Sequence, residues 1–234
     1  MRRTHQTYAL LLALLACSQA KTMSSDSANA QASGARVTSS APSAAAGQRA
    51  GERATILFIG TSLTVGLGLD PDSAYPQQIQ RMIDSAGLGY QVVNAGVSGE
   101  TSSDLLGRLD WLLRQPFAVA VIETGANDGL RGIPVESMRS NVQQIVERVR
   151  AARPNARVLL VQMEAPPNLG RSYTERFHNV FPDVAKSTGV VLLPFLLQDV
   201  AGKRELNQAD GIHPNEVGER IVARNVWRGL RPAL

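Results

Sequence analysis

From Thr55 to Leu230 the chain alternates short, nearly continuous apolar runs with longer stretches in which apolar residues recur every three or four positions. The runs are Thr55–Ile59, Tyr90–Asn94, Phe117–Glu123, Arg157–Met163 and Val190–Leu193. Dense Val, Ile and Leu without polar alternation is the pattern of strands buried on both faces. The intervening stretches predict helices over Ala74–Ala86, Ser102–Arg114, Val135–Ala152, Tyr173–Ser187 and Asn215–Leu230. In the third, for example, Met138, Val142, Ile145, Val146 and Val149 fall on one face. Pro154-Asn155 and Ser187-Thr188-Gly189 supply stop signals where two of these helices should end. Five strands alternating with five helices predict a three-layer α/β/α sandwich around a five-stranded parallel sheet with right-handed crossovers.

The first fifty residues break this pattern. Arg2 and Arg3 precede a short apolar run, Tyr8–Ala16, too short for a permanent membrane span, so residues 1–17 read as a secretory signal. Residues 18–52 are rich in Ala, Ser, Gly and Gln and almost devoid of large apolar side chains. They read as a flexible tether, leaving 53–234 as the folded domain. The single cysteine, Cys17, closes Leu14-Leu15-Ala16-Cys17, which resembles a bacterial lipobox. The expectation is an exported protein of a Gram-negative-type bacterium, periplasmic or held to the membrane only by an N-terminal lipid anchor. The domain therefore has neither a disulfide nor a thiol nucleophile.

Charge is counted on that domain. Of 24 basic and 20 acidic residues, two arginines fall in the leader, and Lys21, Arg36, Arg49, Asp26 and Glu52 fall in the tether. The domain keeps 19 basic and 18 acidic groups. Near-neutrality argues against a nucleic-acid footprint. No Cys or His cluster has metal-ligand spacing, so no metal and no cofactor are expected.

Chemistry should collect in loops beyond the carboxyl ends of the strands. Gly60-Thr61-Ser62, Asn94–Thr101, Gly125-Ala126-Asn127-Asp128, Pro166-Pro167-Asn168 and Asp210-Gly211-Ile212-His213 all lie at that edge. A hydroxyl nucleophile needs a base, and imidazole suits that task near neutrality. Of the domain's two histidines, His178 lies within a helical pattern without a carboxylate at motif spacing and reads as structural or surface. His213 follows Asp210 by three residues and precedes Pro214, so a rigid turn can hold the ring with a carboxylate at Nδ1. Each candidate has a plain alternative. Ser62 could be a loop or cap serine, the glycine of Gly99 could serve turn geometry, and Asn127 could belong to an Asn-Asp-Gly turn.

Taken together, the blocks resemble the SGNH/GDSL hydrolase family over about Ile56 to Leu230. Ile59-Gly60-Thr61-Ser62-Leu63-Thr64 is similar to its first block, Val93–Thr101 to its second, Gly125–Leu130 to its third and Asp210–Pro214 to its last. Within the family, Gly125–Gly132 and Leu192-Leu193-Pro194-Phe195 resemble the bacterial thioesterase I/lysophospholipase L1 group of arylesterases. The resemblance implies a flavodoxin-like sheet and a metal-free serine esterase or thioesterase. Ser62 would be nucleophile, His213 base and Asp210 its orienting acid, and Ser62, Gly99 and Asn127 would be oxyanion donors. Thr61 stands where the family commonly has Asp, which leaves the hydrogen bonding of that loop open.

The loops after Asn127 and Met163 offer Leu130, Ile133, Pro134, Pro166 and Pro167 as walls of an apolar acyl pocket, favouring a small acyl ester or thioester over a sugar. A monomer is expected. Competing readings are a carbohydrate or peptidoglycan O-acetylesterase using the same residues, and a lipid-anchored binding protein without catalysis. Nucleotide binding is disfavoured, because Pro71 interrupts the glycine pattern after Gly66-Leu67-Gly68.

Overall fold

The computed structural model describes residues 52–234. The leader, Cys17 and tether readings lie outside these residues, save Glu52. Five strands form one parallel sheet: β1 (Ala54–Gly60), β2 (Tyr90–Gly96), β3 (Val119–Ile122), β4 (Arg157–Gln162) and β5 (Val191–Phe195). Their order is β2-β1-β3-β4-β5, as expected for a flavodoxin-like sheet. Register runs unbroken across the centre, with Phe58 opposite both Asn94 on β2 and Val121 on β3.

Among the described residues, seven α-helices accompany the sheet: α1 (Ser62–Val65), α2 (Tyr75–Ser85), α3 (Ser102–Leu112), α4 (Ala126–Leu130), α5 (Val135–Ala152), α6 (Arg171–Thr188) and α7 (Glu216–Leu230). Five match the periodic segments. The pattern does not reveal α1 and α4, because four or five residues are too few to display a 3.6-residue period.

The central strands carry the core. Ile56, Leu57, Phe58 and Ile59 of β1, and all four residues of β3, are buried. The outer strands are wetter, and Val191 on edge strand β5 is half exposed. Helices α5 and α6 pack Met138, Val142, Phe177 and Phe181 inward, and Phe177 and Phe181 sit 5.7 Å apart between ring centres. Pro182 lies inside α6 and has no N–H for the carbonyl of His178 four residues earlier. The Gln162 side chain donates to that carbonyl at 3.2 Å, which lets the helix continue through the proline.

The order in which successive strands join the sheet reverses between β1 and β3. A crevice opens there, beyond the strand ends, and residues following those two strands border it.

Candidate active site

The first wall of the site is the turn from β1 into α1. Thr61 caps this one-turn helix, and Gly66 closes it in the left-handed conformation. Ser62 is the first helical residue, so its N–H has no partner within the helix. Close packing requires glycine on both sides of the turn. A Cβ on Gly96 would stand 2.4 Å from the amide nitrogen of Val65, and one on Gly60 would stand 2.0 Å from Thr64 Oγ1.

Beneath this turn lies Glu123, fully buried at the end of β3. Its carboxylate accepts from the Thr61 N–H at 2.7 Å, from the Thr61 hydroxyl at 2.9 Å and from the Thr64 hydroxyl at 2.9 Å. Tyr75 OH lies 2.9 Å from the same Thr64 oxygen and extends the chain. Burial pushes the Glu123 carboxyl above its ordinary range, while the bonds from Thr61 and Thr64 pull it back. This arrangement answers the question left by Thr61: its short hydroxyl donates to Glu123, where a second carboxylate would face the first. Sequence reading missed Glu123, since a Glu at the end of a strand run carries no spacing signal.

The final loop brings the imidazole. His213 Nε2 lies 2.8 Å from Ser62 Oγ, across 151 residues of sequence. Asp210 Oδ2 lies 2.6 Å from His213 Nδ1, and Asp210 Oδ1 accepts from the N–H groups of Ile212 and His213. With the Nδ1 proton donated to the carboxylate, Nε2 is an acceptor facing the serine hydroxyl. The hydrogen bond from His213, reinforced by the two amides, lowers the Asp210 carboxyl to about 2. Gln208 holds the loop in place by donating to the carbonyls of Leu67 and Pro214, and its own N–H donates to the carbonyl of His213.

Gly99, in the loop after β2, and Asn127, in the first turn of α4, occupy segments tied to each other. The Asn127 amide donates to the Glu100 carbonyl at 2.9 Å, and Arg131 donates to the Gly99 carbonyl at 2.8 Å. Asp128, fully buried, accepts from Ser102 N–H at 2.8 Å and from its hydroxyl at 2.6 Å. Arg108 pairs with Glu100 and donates to the Ala95 carbonyl at 2.8 Å. Gly99 has φ of 80°, which favours glycine. Among the described residues, neither the Ser62 nor the Gly99 N–H has an intramolecular acceptor. Asp128, Arg108 and Ser102 were not singled out by sequence. The Asn-Asp-Gly segment that could have been a turn is instead helix α4, entered through Gly125 at φ of 94°.

Bordered by Leu63, the residue after the serine, lies a mostly apolar cavity of about 430 Å³ whose one charged wall residue is Glu164. Leu130, Pro166 and Pro167 line it together with Leu63, Met163 and Leu197. Ile133 and Pro134 do not. The Ile133 N–H donates to the Asp128 carbonyl, and its carbonyl accepts from Tyr173 OH at 2.7 Å, while Pro134 caps α5. These backbone duties turn the chain into α5, away from the cavity. His178 is exposed, as expected, but it has a carboxylate partner 14 residues away: Glu164 Oε1 lies 2.7 Å from its Nδ1. Among the described residues, no group of His, Cys, Asp and Glu could hold a metal ion, and no helix is long and apolar enough to cross a membrane.

Comparison with known proteins fits this geometry. Residues 58–221 match the model of the GDSL-like Lipase/Acylhydrolase family. The chain is 39% identical to Esterase TesA of Pseudomonas aeruginosa over 181 residues, covering 77% of this chain and 89% of that protein. It is also 39% identical to the Escherichia coli K12 protein named Thioesterase 1/protease 1/lysophospholipase L1, over 79% of this chain and 86% of that one. Among solved structures, the psychrotrophic esterase EstA from Pseudoalteromonas sp., inhibited by monoethylphosphonate, superimposes with a TM-score of 0.72. It is 35% identical and covers 76% of this chain and 97% of that one. By its matching sequence model, its relatives and its sheet, the chain belongs to the GDSL-like lipase/acylhydrolase family, the SGNH hydrolases.

Proposed function

We propose that this protein is a carboxylic ester hydrolase of the SGNH type, working through an acyl-enzyme on Ser62. The observation that carries the reading is the contact of Ser62 Oγ with His213 Nε2 at 2.8 Å, backed by Asp210 on the other ring nitrogen. A weak hydroxyl nucleophile meets an oriented base, at a strand end that borders an apolar cavity.

In this mechanism His213 takes the Ser62 proton as the oxygen attacks the acyl carbon. Asp210 holds the ring tautomer and stabilises the imidazolium. The oxyanion receives hydrogen bonds from the N–H groups of Ser62 and Gly99 and from the Asn127 amide. The protonated His213 then gives its proton to the departing alkoxide or thiolate as the tetrahedral intermediate collapses. A water molecule, deprotonated by the same ring, releases the acid and restores Ser62.

The substrates are small acyl esters, aryl esters or thioesters. The names of the relatives and the Leu130, Pro166 and Pro167 lining support that range, whereas a sugar acetate would find few polar partners in such a wall. Ser62→Ala tests the reading. The wild type should label with a fluorophosphonate and hydrolyse p-nitrophenyl esters, and the variant should do neither. Full esterase activity in the variant would overturn it.

Export and lipid anchoring rest on the sequence of residues 1–17 alone. Metabolic palmitate labelling that disappears in Cys17→Ser supports the anchor, and labelling that persists removes it.

A further inference from the structure

A second cavity, of about 480 Å³, adjoins the apolar one, and Gly202 and Gly211 belong to the walls of both. Its chemistry is different. Lys203, Arg204, Asn207 and Gln208 line it, and no carboxylate does. Both basic side chains are exposed, and among the described residues neither forms an ion pair. Three acids stand nearby in sequence. Asp210 is engaged by His213, and Asp199 and Glu205 are exposed and outside the lining.

Asn207 adds an independent sign of a ligand. It is only 6% exposed, and its amide nitrogen donates to the carbonyls of Val200 at 2.9 Å and Lys203 at 2.8 Å. Both amide hydrogens are thereby used, so the amide cannot be turned over without losing them. Its Oδ1 is buried and has no hydrogen-bond partner. Buried acceptors are rarely left unpaired, and this one stands on a residue that lines the basic recess.

We propose that Lys203, Arg204 and Asn207 form a subsite for an anionic group carried by the substrate, a phosphate or carboxylate with a hydroxyl or N–H donor beside it. The preferred substrate is then an amphiphile. Its apolar part occupies the cavity between Leu63 and Leu197, and its charged part reaches past Gly202 and Gly211 to the two cations. The proposal rests on the acyl-hydrolase reading above and specifies which esters that site selects.

The anion can come from either end of such a substrate, and two arms of one experiment separate the sources. The leaving-group arm compares octanoyl-CoA with octanoyl-pantetheine. The acyl-end arm compares the p-nitrophenyl monoester of adipic acid with p-nitrophenyl hexanoate. Each is read as the ratio of kcat/KM, anionic over neutral, in the wild type, in Lys203→Ala/Arg204→Ala and in Lys203→Glu/Arg204→Glu. Because the ratio is internal to one preparation, partial unfolding of a variant affects both terms alike.

Exposed cations each contribute a few-fold to anion recognition, so the alanine pair should lower the ratio roughly ten-fold in one arm, and the glutamate pair further. Raising salt should compress the wild-type ratio in the same arm. A fall in the first arm assigns the anion to the leaving group, and a fall in the second assigns it to the acyl end. Ratios that stay constant in both arms overturn the subsite while leaving the hydrolase intact. A wild type that hydrolyses none of the four substrates overturns the hydrolase reading, and the subsite with it.

Discussion

Thr61 gives Glu123 two hydrogen bonds, one from its backbone N–H and one from its hydroxyl, and stands directly before Ser62. The buried carboxylate also receives the Thr64 hydroxyl, so one side chain grips the nucleophile turn on both sides of the serine. Among the described residues no cation pairs with Glu123, and the three donors are what hold it in the core.

Glu123→Gln keeps the volume but sets an NH2 group against these donors. The turn should shift, and a displacement of about 1 Å at a reacting group costs roughly a hundred-fold in rate. Steady-state kinetics on a p-nitrophenyl ester should show the loss in kcat with KM little changed. A variant with wild-type kcat would mean that the turn holds itself.

Removal of the Asn127 amide should lower kcat by about a hundred- to a thousand-fold, corresponding to about 3 kcal/mol of barrier. Asn127 also donates to the Glu100 carbonyl, so Asn127→Ala releases one contact between the two segments. Asp128 and Arg131 still connect them, and the melting temperature of Asn127→Ala should fall by only a few degrees.

Asp210→Asn should be far more damaging to turnover than to folding. The Asn oxygen can keep the two backbone amides, but its NH2 would face ring Nδ1 and move the ring proton to Nε2, toward Ser62. A loss of about ten-thousand-fold in kcat is expected by analogy with other Ser-His-Asp sites. The sign of the pH effect follows from the lowered Asp210 carboxyl. Its stabilising bond is present above the ordinary value of 3.8 and is lost as pH falls through about 2. Wild-type kcat/KM measured from pH 4 to 8 should therefore contain no inflection owed to Asp210.

Glu219 predicts a pH dependence of the opposite sense. It is almost fully buried on α7 and accepts the Tyr75 N–H at 2.6 Å. Burial raises its carboxyl to about 8, partly offset by that bond. A carboxyl that holds its proton longer when folded adds stability below the unfolded value of 4.5, and this is lost progressively as pH rises toward 8. The amount is on the order of a few kcal/mol. Urea unfolding at pH 5.5 and 8.5 should show the wild type weakening at the higher pH. Glu219→Gln, which keeps an oxygen for Tyr75, should flatten the difference.

The order of motifs along the chain made Ser62, Gly99, Asn127, Asp210 and His213 legible as candidates, because each stands in a loop after a strand or before the last helix. Glu123, Asp128 and Arg108 were not legible. Their partners lie eight to 62 residues away, and nothing in a Glu, Asp or Arg at a strand end or on a helix announces which distant amide it will meet. The cavity shows the same division. Leu130, Pro166 and Pro167 line it, while Ile133 and Pro134, equally apolar, are committed to the backbone entry into α5.

By itself the sequence determined the layers, because buried strands and amphipathic helices have different hydrophobic periods that neighbouring residues must share. It also determined which polar loops share one edge of the sheet, since parallel strands all end on the same side. Only the tertiary structure decided the one-turn helices α1 and α4, which are too short to be stable except where Glu123, Asp128 and the strand ends hold them. It alone set Ser62 2.8 Å from His213, for that distance depends on how a loop 151 residues later folds over the sheet. Contacts of that range arise from the packing of the whole chain, and no local pattern encodes them.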